Sequence, residues 1–291
     1  MILKKFNKLK VSITANMFTK VISILINLSI VPLLLNFLGI EGYGVWLTIY
    51  AFVGWLNMFD LGLGNGLKLK LTEAFSKKRN KDIKTLISSS YILIGGITII
   101  FIFLYWISFL LFDWVTLIGL STVNDIDMTR SVSILIISFL LILLLKLIGV
   151  IYSALQLPFV DSITRTIGQF FFLVLLFFSI YFGIKPSLAY VALISTIPLI
   201  LVYLVLTLNF FLRKAPFLKL SFKSFSIKKA KDIISPGISF FLIQVSSVIL
   251  YSTDNLIIIN LLSSTEVTIY NISYKFFGLP FMIFTIFIST H

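Results

Sequence analysis

The chain of 291 residues contains no cysteine, one histidine and few charged residues, and each shortage excludes a class of site. Without cysteine it can form neither a disulfide nor a thiolate metal centre. Because the single histidine, His291, is the last residue, we expect no histidine-based metal or acid–base site. We also expect no catalytic residues and no cofactor. Charged residues make up 12% of the chain and hydrophobic residues 59%, which leaves too little polar surface to cover a soluble fold. The composition therefore predicts a membrane protein.

Long apolar segments are what the chain has in abundance. Eight of them reach the roughly 20 residues that a helix needs to cross a bilayer, and they span residues 16–38, 43–63, 88–112, 131–153, 163–183, 188–212, 236–262 and 267–290. The short segments of alternating polarity that form transmembrane β-barrels are absent from the sequence. We therefore predict an all-α fold, a polytopic membrane bundle of about eight transmembrane helices.

Lysine and arginine are distributed unevenly between the two ends of these segments. Nineteen of the 24 lie on one side, in residues 1–15 and in the loops 64–87, 154–165 and 213–235, of which 154–165 contributes Arg165. The opposite side holds Arg130 and Lys185. Because cytoplasmic loops carry the excess of basic residues, we predict a cytoplasmic N-terminus. The net charge of +13 then reflects topology and attraction to anionic lipid head groups rather than a nucleic-acid partner.

The stretch 16–66 contains the most informative pattern. Its two apolar segments flank Gly39-Ile40-Glu41-Gly42, a turn so short that the two helices must be antiparallel neighbours. Polar residues recur every three or four positions along the first helix and share one face: Ser12, Asn16, Lys20, Ser23 and Asn27. The second helix has a similar face: Trp46, Tyr50, Gly54, Asn57 and Asp60. Polar stripes within a membrane hairpin indicate a protein interior or a wet cavity rather than lipid.

An internal repeat relates the first hairpin to the last one at a constant offset of 224 residues. Asn36-Phe37-Leu38 matches Asn260-Leu261-Leu262, and Tyr50, Phe52 and Gly54 match Tyr274, Phe276 and Gly278. Because the copies are six helices apart, the repeat is parallel, about an axis along the membrane normal; chance similarity between apolar sequences is the alternative. We predict an N-terminal six-helix lobe (1–231) and the first two helices of a second lobe (232–291). We expect the chain to be a fragment, or a truncated reading frame, of a protein with twelve or more helices.

Five ionisable residues lie within the apolar segments: Lys20, Lys146, Lys275, Asp60 and Asp254. A lone carboxylate at the bilayer centre costs roughly 2.5–3.5 kcal/mol, so Asp254 and its neighbour Asn255 are candidates for coupling to an ion or a proton. A structural ion pair between Asp254 and Lys275, at similar depth, is the alternative. Asp60 is a further coupling candidate or an interfacial cap. Lys20 and Lys146 either line a cavity or extend to the interface.

Three segments carry a family resemblance: PLLLNFLGIEGYGVW (32–46), FDLGLG (59–64) and the stretch 237–270 with Asp254, Asn255 and Tyr270. They resemble bacterial polysaccharide flippases, which handle O-antigen and capsule repeat units and belong to the MATE-like multidrug, oligosaccharidyl-lipid and polysaccharide exporter superfamily. The resemblance implies flipping of undecaprenyl-diphosphate-linked oligosaccharide repeat units from the cytoplasmic to the outer leaflet of the bacterial cytoplasmic membrane, for surface polysaccharide biosynthesis.

The resemblance also implies site residues and partners. Substrate would bind in a wet groove, and coupling would use carboxylates; the substrate candidates are Lys20, Asn27, Lys146 and Lys275, and the coupling candidates are Asp254, Asn255 and Asp60. The implied partners are the lipid-linked oligosaccharide, membrane lipids, and a polysaccharide polymerase or other export components, with no nucleic acid.

Three other functions remain open. A cation-coupled multidrug or small-molecule antiporter of the same superfamily would need an aromatic, acidic cavity, which the intramembrane lysines disfavour. An integral-membrane enzyme, such as a glycan polymerase or acyltransferase, would need a large outer loop, whereas the longest one here has about 18 residues, 113–130, and no histidine. An inactive membrane fragment would only pack against other proteins.

Overall fold

The computed structural model describes residues 2–54, 62–111 and 125–288, and it is helical apart from short connections. The helices are α1 (Ile2–Gly54), α2 (Leu63–Ser76), α3 (Asn80–Leu111), α4 (Asp125–Leu145), α5 (Leu147–Ala154), α6 (Phe159–Tyr181), α7 (Leu188–Asn209), α8 (Ile227–Ser252), α9 (Asp254–Leu261) and α10 (Ser264–Ile288). A linker with one π turn and two 3-10 turns joins α7 to α8. The described ranges contain no strand, which confirms the predicted all-α fold.

Five stretches of the described residues are long and apolar enough to cross a membrane: Thr14–Gly54, Asn80–Ser108, Ile126–Ala154, Phe159–Tyr181 and Leu188–Lys214. The first of them contains both arms of the predicted hairpin, so the five stretches correspond to the first six predicted segments. The chain is therefore a multi-pass membrane protein, and the count of eight spans stays a prediction.

Helix α1 is folded back on itself at Gly39. This glycine has φ 73° and ψ 174°, a conformation outside the helical region that residues with a Cβ rarely adopt. Asn27 and Tyr50 line the same cavity, although a straight helix would separate them by roughly 35 Å. The predicted hairpin is confirmed, with arms 2–38 and 40–54, and its turn is a single-residue break.

The predicted loop 64–87 is wrong, because the structure makes this segment helical. Helix α2 and the first turns of α3 occupy it, and a tight turn with Lys78 at φ 51° joins them. Leu63, Leu67 and Leu71 recur every four residues and are all buried, which gives α2 an apolar face. The lysines on the opposite face lower the average hydropathy of the segment, so it does not stand out as an apolar segment.

The first arm of α1 packs in parallel against α6 through its polar stripe. Ser162 donates a hydrogen bond to Asn16 Oδ1 at 2.7 Å, and Ser23 donates to Gln169 Oε1 at 2.7 Å. Both pairs are 146 residues apart, and a constant difference requires that the two helices run in the same direction. The first and fifth predicted spans thus share one direction, as alternate crossing requires.

Asp127 fixes the start of α7 beside the start of α4. Its carboxylate accepts hydrogen bonds from the Ser187 hydroxyl at 2.6 Å and from the Leu188 amide at 2.7 Å. These donors belong to the N-terminus of α7, where unpaired amides and the helix dipole favour a negative charge. Helices α4 and α7 therefore begin at the same end of the bundle. We call this the hairpin end, because Gly39 lies there too. We call the opposite end, which contains Lys78 and the α7–α8 linker, the basic end.

The apolar core forms two layers along the bundle. The layer toward the hairpin end is built from α1, α4, α6 and α7 and includes Ile259 and Val267 from the last hairpin. The layer toward the basic end is built from α2, α3, α5 and α7 and includes Ile233 from α8. Helices α8 to α10 therefore pack onto the preceding helices at both levels.

The first and last hairpins meet through positions that the repeat makes equivalent. Thr268 Oγ1 donates to the Ile40 carbonyl at 2.7 Å, and a Cβ added at Gly44 would overlap the Ser264 carbonyl. The offset of 224 makes Ile40 equivalent to Ser264 and Gly44 equivalent to Thr268. Interchanging the two copies therefore converts the Thr268–Ile40 contact into the Gly44–Ser264 contact, and the reverse. Such a reciprocal contact is expected around a two-fold axis and supports the parallel repeat. The division into lobes at residue 231 stays a prediction.

Candidate functional site

A cavity of about 300 Å³ lies between the two arms of α1, helices α6 and α7, and α10. Its polar lining comes from five side chains, and its aromatic lining is concentrated on the second arm of α1. The polar residues are Asn27, Arg165, Gln169, Ser195 and Lys275; the aromatic ones are Tyr43, Trp46, Tyr50 and Phe172. The polar stripes of the first hairpin and of α6 thus face a common interior space.

Lys275 reaches the cavity from α10. Its Nζ donates a hydrogen bond to the Tyr43 hydroxyl at 3.0 Å and lies 5.7 Å from the centre of the same ring. Tyr43 is 1% exposed, so the ammonium is held against a fixed neutral side chain. The contact orients the charge without neutralising it.

Arg165 reaches the cavity from the first turns of α6. Its Nη2 lies 2.9 Å from Asp161 Oδ2, and the other carboxylate oxygen, Oδ1, accepts a hydrogen bond from Tyr203 at 2.7 Å. The Arg165 side chain is 58% exposed and the Asp161 side chain 20%. Asp161 therefore holds one terminal nitrogen of the guanidinium group, and the remaining donors of Arg165 stay available to the cavity.

Gly149 makes room for this arrangement. A Cβ on residue 149 of α5 would overlap Oδ1 of Asp161. Any larger residue at this position would therefore displace the carboxylate that positions Arg165. Gly168 acts in a similar way where α6 crosses α7, because an added Cβ would lie 2.8 Å from Leu199 Cδ1 and 3.1 Å from its Cα. Both glycines permit close helix contacts beside the cavity.

The cavity is electropositive. Two cationic side chains and no carboxylate are found among the described residues that line it. Asp161 offsets part of the charge of Arg165, whereas the partner of Lys275 is the neutral Tyr43. An uncompensated positive charge in a cavity of low polarity attracts an anion more strongly than the same charge in water.

Of the predicted substrate residues, the structure brings Asn27 and Lys275 together in this cavity. Lys20 lies between Asn16 and Ser23 on the arm that packs against α6, and Lys146 lies at the junction of α4 and α5 in the basic-end layer. Neither side chain is among the residues that line the cavity. Their role as substrate ligands stays a prediction.

Arg165, Gln169 and Ser195 are cavity residues that the sequence analysis did not select. Arg165 was assigned to the loop 154–165, whereas α6 already begins at Phe159. A signal was present, since Arg165, Gly168, Gln169 and Phe172 follow the i, i+3, i+4, i+7 spacing of one helix face and all line the cavity. Ser195, within an apolar segment, gave no comparable signal.

Asp254 lies at a break between α8 and α9 and belongs to a second polar cluster. Its Oδ2 accepts a hydrogen bond from the Tyr270 hydroxyl of α10, and Asn255 Oδ1 accepts one from Asn271 at 2.7 Å. The alternative prediction of an ion pair between Asp254 and Lys275 is wrong, because in the described region the carboxylate bonds to Tyr270 and the ammonium to Tyr43. Asp60, the remaining coupling candidate, lies outside the described residues.

Comparison with known proteins places these features in context. A family model described as "Polysaccharide biosynthesis protein" matches residues 9–290. The chain is 26% identical over 276 residues to a proposed O-antigen export protein of Yersinia pseudotuberculosis, covering 90% of this chain and 59% of that protein. It is 23% identical over 274 residues to a proposed O-antigen transporter of Salmonella typhi, covering 92% and 60%.

The fold resembles that of the inward-facing conformation of a multidrug resistance MATE family transporter of the MOP superfamily. The TM-score is 0.74 at 15% sequence identity, and the match covers 93% of this chain and 62% of the solved one. The chain thus spans about 60% of the length of the curated relatives that it matches.

Proposed function

Since the chain belongs to the polysaccharide biosynthesis protein family, we propose that it moves undecaprenyl-diphosphate-linked oligosaccharide repeat units from the cytoplasmic to the outer leaflet of the bacterial cytoplasmic membrane. The observation that carries the proposal is the electropositive cavity, which Lys275 and Arg165 line without any carboxylate among the described lining residues. The excess of basic residues at the basic end supports a cytoplasmic N-terminus.

The chemistry of the cavity fits a diphosphate joined to a sugar. The Lys275 ammonium and the Arg165 guanidinium can bind phosphate oxygens through charge-assisted hydrogen bonds. The amides of Asn27 and Gln169 and the hydroxyl of Ser195 can both donate to and accept from sugar hydroxyls. A volume of about 300 Å³ is at the small end for ligand sites, so the cavity would hold the diphosphate and the adjoining sugar rather than a whole glycan.

The aromatic side chains of the lining would suit an antiporter, but its cationic side chains would not. A cationic drug would have to displace or lie beside the uncompensated charge of Lys275, which disfavours a multidrug antiporter. The names of the two relatives describe export and transport rather than catalysis, in line with a transporter rather than an enzyme. Export components such as a polysaccharide polymerase are proposed partners at the outer leaflet.

We assign the coupling role to Asp254. It begins α9 at a helix break within the last hairpin, and broken helices are where many transporters place their ion sites. Substitution Asp254→Asn keeps an acceptor for the Tyr270 hydroxyl but cannot exchange a proton or ligate a cation as a carboxylate does. We expect glycan export to lose its response to an imposed proton or sodium gradient, with binding of the diphosphate lipid unchanged. Tyr270→Phe is the control, because it removes the hydrogen bond and keeps the carboxylate. A normal response of Asp254→Asn would remove this assignment.

The direct test of the proposed substrate is a binding measurement on the purified chain in detergent. Undecaprenyl diphosphate should raise the thermal unfolding temperature more than undecaprenol or a lipophilic cation of similar size. The difference should shrink in Lys275→Gln, since that variant removes the uncompensated charge. Equal stabilisation by the alcohol and the diphosphate, or stronger stabilisation by the cation, would reject an anionic substrate and favour the antiporter.

A further inference from the structure

The linker between α7 and α8, together with the first turn of α8, has an unusual surface. From residue 213 to residue 231 the sequence contains seven basic residues and no acidic one. Large apolar side chains alternate with the lysines and are exposed: Phe222 is 86% exposed and Phe217 60%. We call this the linker surface and define it by Phe217, Lys219, Leu220, Phe222, Lys223, Ile227 and Lys228.

The linker surface lies at the boundary of the membrane. The apolar span Leu188–Lys214 includes the π turn that opens the linker, so the residues that follow cannot be far from the lipid head groups. This placement does not depend on which side of the membrane the basic end occupies.

The opposite side of the linker is fixed to the bundle. Leu218 is 2% exposed and packs into the basic-end core layer. Buried serines of α3 hold the backbone: Ser88 Oγ accepts from the Ser221 amide at 3.4 Å and Ser89 Oγ accepts from the Ser226 amide at 3.1 Å. With the linker anchored from one side, its aromatic and basic side chains project from the other.

Within the described residues, the lysines of the linker surface have no counter-charge. Lys219, Lys223 and Lys228 are exposed, and no ion pair involves them in the part of the chain that the structure describes. Their neighbour Lys229 differs, because it lies 3.4 Å from Asp82 of α3. These exposed charges are therefore available to anions from outside the chain.

We infer that the linker surface is a binding site for anionic phospholipid head groups. Aromatic side chains enter the interfacial region of a bilayer readily, and lysines beside them are attracted to anionic lipids. A water-soluble acidic protein could bind the lysines, but it would leave Phe222 and Phe217 exposed to water. The site shares no residue with the transport cavity, so it stands whether or not the proposed substrate is correct.

The absence of cysteine allows a direct test. A nitroxide spin label is attached to Leu220→Cys, and the chain is placed in nanodiscs of phosphatidylcholine alone or of an equal mixture with phosphatidylglycerol. In the mixture, the label should become accessible to oxygen and protected from a water-soluble nickel reagent. Substituting Lys219, Lys223 and Lys228 by glutamine should weaken this transfer by roughly fivefold for each charge removed.

The matched control removes three exposed lysines elsewhere on the basic end, Lys68, Lys78 and Lys81, and should retain the protection of the label. The inference is overturned if nickel reaches the label equally in both lipids, or if the label is protected without phosphatidylglycerol. It is also overturned if the control variant loses protection to the same extent, because the net charge of the basic end would then explain the protection of the label.

Discussion

Lys275→Met is expected to reduce glycan export by about tenfold to a hundredfold in cells that lack another flippase. The substitution keeps most of the side-chain volume and removes the ammonium group that Tyr43 orients into the cavity. A hydrogen bond to a charged group is worth about 1.5–3 kcal/mol, and each 1.4 kcal/mol is a factor of ten in binding. Export is measured as surface polysaccharide and normalised to the amount of membrane-inserted protein.

Three variants separate charge from packing at this position. Lys275→Arg keeps the charge and should retain most of the export. Tyr43→Phe keeps the ring and removes the hydroxyl acceptor, so it should cause a smaller loss than Lys275→Met. Lys185→Met removes an exposed lysine between α6 and α7 and should have no effect. If Lys275→Met exports glycan as well as Lys185→Met does, the cavity is not the phosphate site.

The same assay ranks the other intramembrane lysines. Lys20 and Lys146 do not line the cavity, so their methionine variants are expected to lose less export than Lys275→Met. A larger loss at Lys146 would place the anion path nearer the basic-end core layer.

The first hairpin shows how much of the fold could be predicted from sequence. Two apolar segments around Gly39 specify two adjacent crossings, and the spacing of Asn16, Ser23 and Asn27 specifies one inward face. The structure confirms that face, because Asn16 and Ser23 bond to α6 and Asn27 lines the cavity. Local periodicity was sufficient here because the three residues lie on one face of a single regular helix.

The contacts of Asp254 and Lys275 could not be predicted in the same way. Equal distance from a turn gives two residues the same depth but does not fix the side of the helix on which each one lies. Lys275 points toward α1, where Tyr43 binds it, and Asp254 points toward Tyr270. Which neighbour a side chain meets depends on how each helix is rotated about its own axis when the helices pack. Hydropathy contains no information about that rotation.

Arg165 was missed for a related reason. Its pairing with Asp161 makes the first turn of α6 polar, and a hydropathy average therefore places the helix start too late. The ion pair at i, i+4 is itself a helix signal, although it resembles an ordinary exposed pair until α5 and Tyr203 are known to enclose Asp161.

Gly44→Ala is expected to lower the thermal unfolding temperature of the chain by several degrees and to impair export. The new Cβ would overlap the carbonyl oxygen of Ser264, and a backbone atom cannot avoid it by changing rotamer. Overpacking of this kind costs about 1–3 kcal/mol. Separation of the hairpins would also break the hydrogen bond of Thr268 to Ile40 and shift Tyr43 relative to Lys275, since these residues lie on the same two helices.

Gly96→Ala is the matched control, because a Cβ at this position in α3 meets no atom of the described residues within 4 Å. Alanine favours a helix over glycine by up to about 1 kcal/mol, so this variant should unfold at an unchanged or higher temperature. Thr268→Val tests the hydrogen bond alone and should fall between the two, since it preserves side-chain volume while the backbones stay in place. Equal unfolding temperatures for Gly44→Ala and Gly96→Ala would mean that the two hairpins do not meet at this contact, and the reciprocal pairing that supports the parallel repeat would be lost with it.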